Sequence, residues 1–341
     1  MTEIKATSGH TKPELLMAPF RGITHKSWRN AFARHIGGFD EMFAPFISGA
    51  GATKIHPDKL ADVMPLNDNL APTVPQIIGI DANEIILLGN TLADLGFEEL
   101  NWNLGCPFAR IANKKRGCGL LPYPDVLNEI LEKVFSSIQI KLSIKTRLGY
   151  HQANEIQSVI PILNQYPISR VILHPRTGKQ GYRGQANPEG YGRVSQLIKH
   201  PIIYNGDIYN LSQLRKLQMQ FPGQKSWMVG RGALINPFLP KEIKGYAMTD
   251  EEKRKQMTAF HFELWHMAWK SQLHESRTLG AMKAIWHYMA GTFANGGEVF
   301  TRIKRAKKRE TYIDAVDYAL QQDFAGDTDL EKHFFQLTKI G

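Results

Sequence analysis

Only two of the 341 residues are cysteine, and no stretch approaches the roughly 20 consecutive apolar residues of a membrane span. Two thiols cannot build a disulfide framework or by themselves complete a four-ligand zinc site, and thiols this sparse suit a reducing compartment. The first 13 residues are polar and lack the apolar core of a secretory signal. No GxGxxG follows the first apolar segment, which weakens the case for an open dinucleotide-binding sheet. Internal repeats and low-complexity tracts are also missing. These absences lead us to expect a cytoplasmic protein with no metal site and no membrane partner. The chain is long enough for one large α/β domain or a barrel with a satellite.

Charge is unevenly spread. Lys and Arg number 42 against 32 Asp and Glu, a formal charge of +10, of which +8 falls before residue 241 and +2 after it. The tail is segregated: Arg302, Lys304, Arg305, Lys307, Lys308 and Arg309 lie within eight residues, ahead of an acidic stretch. Such a run is either a phosphate-binding patch with salt-dependent affinity or a solvated helix face, and composition alone does not choose.

Eight short β-rich apolar segments recur, at 15–20, 41–46, 73–79, 100–105, 140–146, 170–174, 201–205 and 227–230. Between them, segments such as 27–36, 82–95, 124–135, 155–166 and 211–220 carry apolar residues at helical spacing. Strands alternating with helices require parallel crossovers, and eight units in about 230 residues predict a closed (β/α)8 barrel. After residue 240 the β-rich runs cease. A smaller all-helical domain over 241–341 is expected, with Met257, Phe260, Leu264, Trp265 and Ala268 on one core face and Ala281, Ile285, Trp286 and Met289 on another.

In such barrels the reacting groups stand at the C-terminal ends of the strands. Here those ends carry Pro19, Phe20 and Arg21; Gln76; Asn103 to Pro107; Lys145 and Arg147; His174 and Arg176; Asn205, Gly206 and Asp207; and Gly230 and Arg231. Cations are rarely buried unpaired, so their convergence implies an anionic ligand, and glycines after strands seven and eight suit a phosphate. Cys106 opens a loop through Lys114, Lys115, Arg116 and Cys118 that exceeds a routine connection of up to about 12 residues. Its thiol has four possible fates: proton donor, thiolate nucleophile, disulfide partner of Cys118, or packing.

Seven motifs in order resemble the tRNA-dihydrouridine synthases, flavin enzymes that reduce a uridine in tRNA. They are Met17-Ala18-Pro19, Asn103 to Pro107, Gly117-Cys118-Gly119-Leu120-Leu121, Lys145-Thr146-Arg147-Leu148-Gly149, His174-Pro175-Arg176-Thr177, Asn205-Gly206-Asp207 and Gly230-Arg231-Gly232. The resemblance implies FMN in the barrel mouth, reduced by NADPH. It implies Pro19, Phe20 and Arg21 beside the ring system, Gln76 and Lys145 on its polar edge, and Asn205 to Asp207 with Gly230 and Arg231 at the phosphate. It further implies hydride transfer to uracil C6 and a proton from Cys106 to C5, with His174 and Arg176 placing flavin or base and Asn103 touching either. Lys114, Lys115 and Arg116, with Arg302, Lys304, Arg305, Lys307 and Lys308, would meet tRNA, and a monomer is expected.

The sequence departs from the family pattern at His25, Phe20 and Pro175. Gln180-Gly181-Tyr182-Arg183 and Met282-Lys283-Ala284-Ile285-Trp286 lean toward the bacterial C-type branch, which would imply a D-loop uridine such as U16. Two other functions fit less of the chain: a small-molecule FMN oxidoreductase, which would not need the basic tail, and a tRNA-folding helper, which would not need Cys106.

Overall fold

The computed structural model describes residues 12–51, 53–271 and 274–337. Its centre is a parallel sheet of nine strands: β1 (Glu14–Met17), β2 (Glu41–Phe43), β3 (Thr73–Val74), β4 (Gln76–Ile77), β5 (Glu99–Leu104), β6 (Lys141–Gly149), β7 (Val171–Thr177), β8 (Ile202–Tyr204) and β9 (Ser226–Val229). The order β3-β2-β1-β9-β8-β7-β6-β5-β4 leaves β3 and β4 at the two ends. They are one extended run interrupted by Pro75, which has no N–H to give but whose carbonyl accepts from Asn101 N at 2.9 Å. Joining them closes the ring, so the expected eight-stranded barrel is present.

Alternation sorts side chains into two layers. Leu15, Met17, Val171, Leu173, Trp227 and Val229 point to the surrounding helices, where they join the main core. Their neighbours Leu16, Ala18, Ile172, Ile203 and Met228 form a second, internal cluster with Phe43 and Val74. On β5 the inner positions are instead Glu99, Asn101 and Asn103, between the core residues Leu100, Trp102 and Leu104.

The crossover helices fall where their spacing predicts, among them α1 (Lys26–His35), α2 (Ala82–Asp94), α4 (Pro124–Phe135), α5 (Ile156–Leu163) and α7 (Leu211–Gln220); α3 (Ala109–Ala112) is a single turn. His25, one of the departures from the family pattern, is the N-cap of α1 and accepts from Trp28 N. Further on come α6 (Pro188–Ser195), α8 (Arg231–Ile235) and α9 (Leu239–Ile243).

From Asp250 the described chain is helical: α10 (Asp250–Ser271), α11 (Glu275–Met289), α12 (Gly296–Arg305), α13 (Arg309–Leu320) and α14 (Asp327–Gln336). Helix α10 docks on α1, with Phe260 edge-on to Trp28 and Phe32 at 5.9 and 5.8 Å between ring centroids. Glu263 bonds Arg34 and His35 alongside. Met257, Leu264, Ile285, Trp286 and Met289 are buried as expected, whereas Ala268 and Ala281 are half-buried. Trp286 Nε1 donates to Tyr312 Oη at 2.9 Å, which also meets His261 Nε2 at 3.0 Å, so one hydroxyl links three of the tail's buried rings. Among the described residues no helix is long and apolar enough to cross a membrane.

Candidate active site

Strand register places Gln76 beside Asn101, Asn101 beside Ser143 and Asn103 beside Lys145. Buried polar side chains must find partners, and these find one another. Arg170 grips Glu41 at 2.6 Å and Glu99 at 3.1 Å near the N-terminal end of the barrel. Ser143 Oγ donates to Glu99 Oε1 at 2.5 Å, Asn101 Nδ2 to Ser143 Oγ at 2.7 Å and Gln76 Nε2 to Asn101 Oδ1 at 2.7 Å. Asn103 Nδ2 then donates to Gln76 Oε1 at 2.8 Å. Paired with Arg170, the Glu99 carboxylate accepts only, so every bond in the chain runs in one sense. Burial pushes Glu99 upward in pKa, with Arg170 and the Ser143 hydroxyl opposing. At the far end Asn103 Oδ1 accepts from Gly105 N and Cys106 N, at 3.0 and 2.9 Å. The amide train therefore ends on the backbone that carries the thiol.

The loop folds back over that thiol. Gly117 has φ +57°, and a Cβ there would lie 2.6 Å from Cys106 O, so only glycine closes the turn. Cys118 N and Sγ both donate to the same carbonyl, each at 3.2 Å. Both cysteines are free thiols, which removes the disulfide reading. Burial raises the pKa of Cys106, only partly offset by the Phe108 N–H and the nearby Arg147, Arg21 and Arg110. It raises Cys118 to about 12. Cys106 is thus protonated at neutral pH, a state suited to giving a proton rather than attacking.

Beside it opens a cleft lined by Pro19, Phe20, Lys145, His174, Tyr182, Asn205 to Ile208, Gly230 to Gly232 and Phe334. Lys145 makes no hydrogen bond or ion pair among the described residues, and burial lowers its pKa to about 7. Arg176 Nη1 is 3.0 Å from His174 Nε2; a guanidinium only donates, so Nε2 accepts and the ring proton sits on Nδ1. Burial and the surrounding cations hold His174 neutral, well below its ordinary pKa. Asp207, at φ +41°, takes Arg176 Nη2 at 2.6 Å, Arg231 Nη2 at 3.2 Å and Ala186 N at 2.6 Å. Around this cleft two buried guanidinium atoms, Arg176 Nε and Arg231 Nη1, have no hydrogen-bond partner among the described residues. Unpaired buried donors on two cations, with an unpartnered lysine, fit a group bearing a phosphate at one end and an electron-rich edge at the other.

Some expected residues take narrower roles. Asp207 orients the two arginines. Arg176 is 1% exposed and reaches the cleft only through its bonds to the lining residues His174 and Asp207. Arg147 gives Nε to the Gly105 carbonyl and Nη1 to those of Thr177 and Gly181, tying the loop after β5 to the end of β7 and the loop that follows it. Gly232 is a packing glycine, since a Cβ would fall 1.8 Å from Ile208 O. Gln76 is fully buried with one amide hydrogen still to give. Arg21, Lys114 and Lys115 are exposed and Arg116 half-buried around the mouth, and Arg302, Lys304, Arg305, Lys307 and Lys308 are exposed on and after α12.

A (β/α)8 barrel whose mouth joins a buried thiol to a cationic cleft has the layout of a cofactor-dependent enzyme. The chain belongs to the dihydrouridine synthase (Dus) family, whose profile matches residues 16–323. It is 28% identical over 231 residues to tRNA-dihydrouridine synthase B of Pasteurella multocida, covering 67% of this chain and 68% of that one. To tRNA-dihydrouridine(16) synthase of Neisseria meningitidis it is 23% identical over 317 residues, 90% of this chain and 95% of that one. Among solved structures, the old yellow enzyme homologue from Zymomonas mobilis superposes with TM-score 0.51 at 10% identity, over 70% of this chain and 94% of its own. This last likeness shows the barrel fold alone.

Proposed function

We propose that this chain reduces a uridine of tRNA to 5,6-dihydrouridine, with FMN in the cleft and NADPH as the reductant. The observation that carries the reading is the amide train from Glu99 to Asn103, which holds a protonated Cys106 beside the unpartnered Lys145. Bound flavin supplies a hydride, received at uracil C6. The protein supplies the rest: Cys106 holds the proton destined for C5, and the Cys106 backbone N–H is pinned by Asn103 so that the thiol keeps its place. Lys145 and the free Gln76 amide hydrogen address the polar edge of the flavin, where a cation favours electron gain. Arg231, with Asn205, Gly206 and Gly230, receives the phosphate.

The base must leave its stack to reach a barrel mouth, at a cost of a few kcal/mol that a tRNA loop lessens. Exposed cations on both sides of the chemistry suit an RNA, namely Lys114 and Lys115 at the mouth and the run from Arg302 to Lys308 in the tail. That distribution favours tRNA over a small molecule and gives residues 241–341 the role of an RNA grip. The relatives named for position 16 align over 87–90% of this chain, tail included, against 67–74% for those named synthase B, and we assign the same D-loop position here. The test is anaerobic. Flavin reduced by NADPH and freed of excess donor should regain its visible band on adding unmodified tRNA, with dihydrouridine formed at position 16; a band that stays bleached refutes the function, and product elsewhere refutes the position.

A further inference from the structure

The phosphate end of the cleft has a wall that the barrel does not provide. Helix α14 sits on the loop after β8 and on α8, where Tyr209, Ile235, Leu330 and Phe334 form an apolar cluster of their own. The Tyr209 and Phe334 rings are 4.9 Å apart, and Tyr209 Oη donates to Glu331 Oε1 at 2.9 Å. This seating carries Phe334, 2% exposed, into the lining of the cleft. There it meets Arg231. The guanidinium carbon lies 4.2 Å from the centroid of Phe334 and 4.5 Å from that of Tyr182, so the planar cation packs against two rings. Asp207 occupies Nη2, while Nη1 is buried and unpartnered.

We propose that α14 is a cofactor latch. Phe334 and Tyr182 fix the plane of Arg231 so that Nη1 meets the terminal phosphate monoester of a flavin mononucleotide. Together they close the cleft beyond that phosphate, where a flavin dinucleotide would need room for its adenylate half. The inference rests on the flavin reading above and extends it: the helical tail retains the cofactor as well as gripping RNA. A guanidinium packed against two rings loses little freedom when it bonds an anion, and the rings keep water from competing for it.

The experiment uses the full-length apoprotein, titrated with FMN, riboflavin and FAD and followed by quenching of flavin fluorescence. Phe334→Leu keeps apolar volume without a ring, and Phe334→Ala opens the wall. Phe334→Leu should weaken FMN by about tenfold and leave riboflavin, which lacks the phosphate, unchanged. Phe334→Ala should also narrow the preference for FMN over FAD by about tenfold. FMN affinity within twofold of wild type in both variants overturns the latch while sparing the flavin reading. Equal losses of FMN and riboflavin overturn it too, since they report a general loosening. A wild-type apoprotein that binds none of the three flavins overturns both.

Discussion

Removing one oxygen from the barrel interior tests whether the amide train is a working part. Ser143 is fully buried, gives its proton to Glu99 and accepts from Asn101. In Ser143→Ala the Asn101 Nδ2 donor is stranded and Glu99 loses a neutral donor, leaving Arg170 as its support. A stranded buried donor costs about 1–3 kcal/mol and a bond to a charged acceptor is worth about as much; because both terms share one hydroxyl they do not add in full, and a loss of about 2–4 kcal/mol is expected. The hole left by one hydroxyl is too small for a bridging water. Urea unfolding of the apoprotein, read by tryptophan emission, should show an unchanged slope and a midpoint lowered by about 1 M for a slope near 3 kcal/mol/M. A second readout follows the far end of the train. Iodoacetamide should alkylate Cys106 faster once Gln76 and Asn103 are free to swing, whereas Cys118, held at about 12, stays silent. Wild-type midpoint and wild-type alkylation together would refute the idea that this train positions the thiol.

Four further outcomes follow from the same geometry. Cys106→Ala should keep flavin and tRNA binding but lose turnover in a single-turnover assay, and unchanged product would remove the proton-donor role. Neutralising Lys304, Arg305, Lys307 and Lys308 together should weaken tRNA binding at constant flavin content and reduce the salt slope by up to about 3; equal affinity at low and moderate salt would exclude the patch. Lys145 is lowered to about 7 in the fold and returns to its ordinary 10.5 on unfolding, so the unfolded chain binds the extra proton between those values. The contribution of this group to the stability of the apoprotein should therefore rise with pH across 7 to 10.5, by up to about 1.4 kcal/mol per unit, and show as a net rise between pH 7 and 9, above which the raised Cys106 and Cys118 thiols act in the opposite sense; Lys145→Met should flatten the rise in urea midpoints. Phe260→Ala, which empties the α1–α10 contact, should cost about 3–5 kcal/mol in the same assay, and a smaller loss would mean that the tail stands without that contact.

The barrel was legible because its signal is local and repeated. Segments such as 170–174 and 201–205 are too short for helices and carry paired β-branched residues, and the helices between the strands carry their own periodicity. Boundaries strayed where tertiary contacts override local preference: β7 runs on through Pro175 to Thr177, although a proline normally discourages a central strand, because the Pro175 carbonyl is still used by Asn187 N at 2.8 Å. The thiol chemistry was partly legible. Spacing alone left four fates for Cys106; the carbonyl geometry around Cys118 and the burial of both sulfurs remove two of them.

What sequence cannot tell is which of several like residues is left with something to give. Arg147, Arg176 and Arg231 all end strands of the same barrel and read alike. In the fold Arg147 and Arg176 each commit three of their five N–H groups, Arg147 to the carbonyls of Gly105, Thr177 and Gly181 and Arg176 to His174, Gly184 and Asp207, whereas among the described residues Arg231 makes one hydrogen bond, from Nη2 to Asp207, and leaves Nη1 buried without one. The difference lies in where loop carbonyls fall, which no periodicity encodes. Phe334 was invisible for a related reason, since its apolar spacing with Leu330 reads only as a helix face. The inner residues Glu99, Asn101 and Asn103 did carry a signal, a polar side chain at every second position of an otherwise apolar strand. A barrel interior filled by hydrocarbon would be simpler to stabilise, as Leu16, Ile172, Ile203 and Met228 show on the opposite side. Half of this interior forgoes that in favour of a directed hydrogen-bond chain, and a chain that begins at a fixed carboxylate and ends at the Cys106 loop is worth its desolvation only if the position of that loop matters to the proposed chemistry.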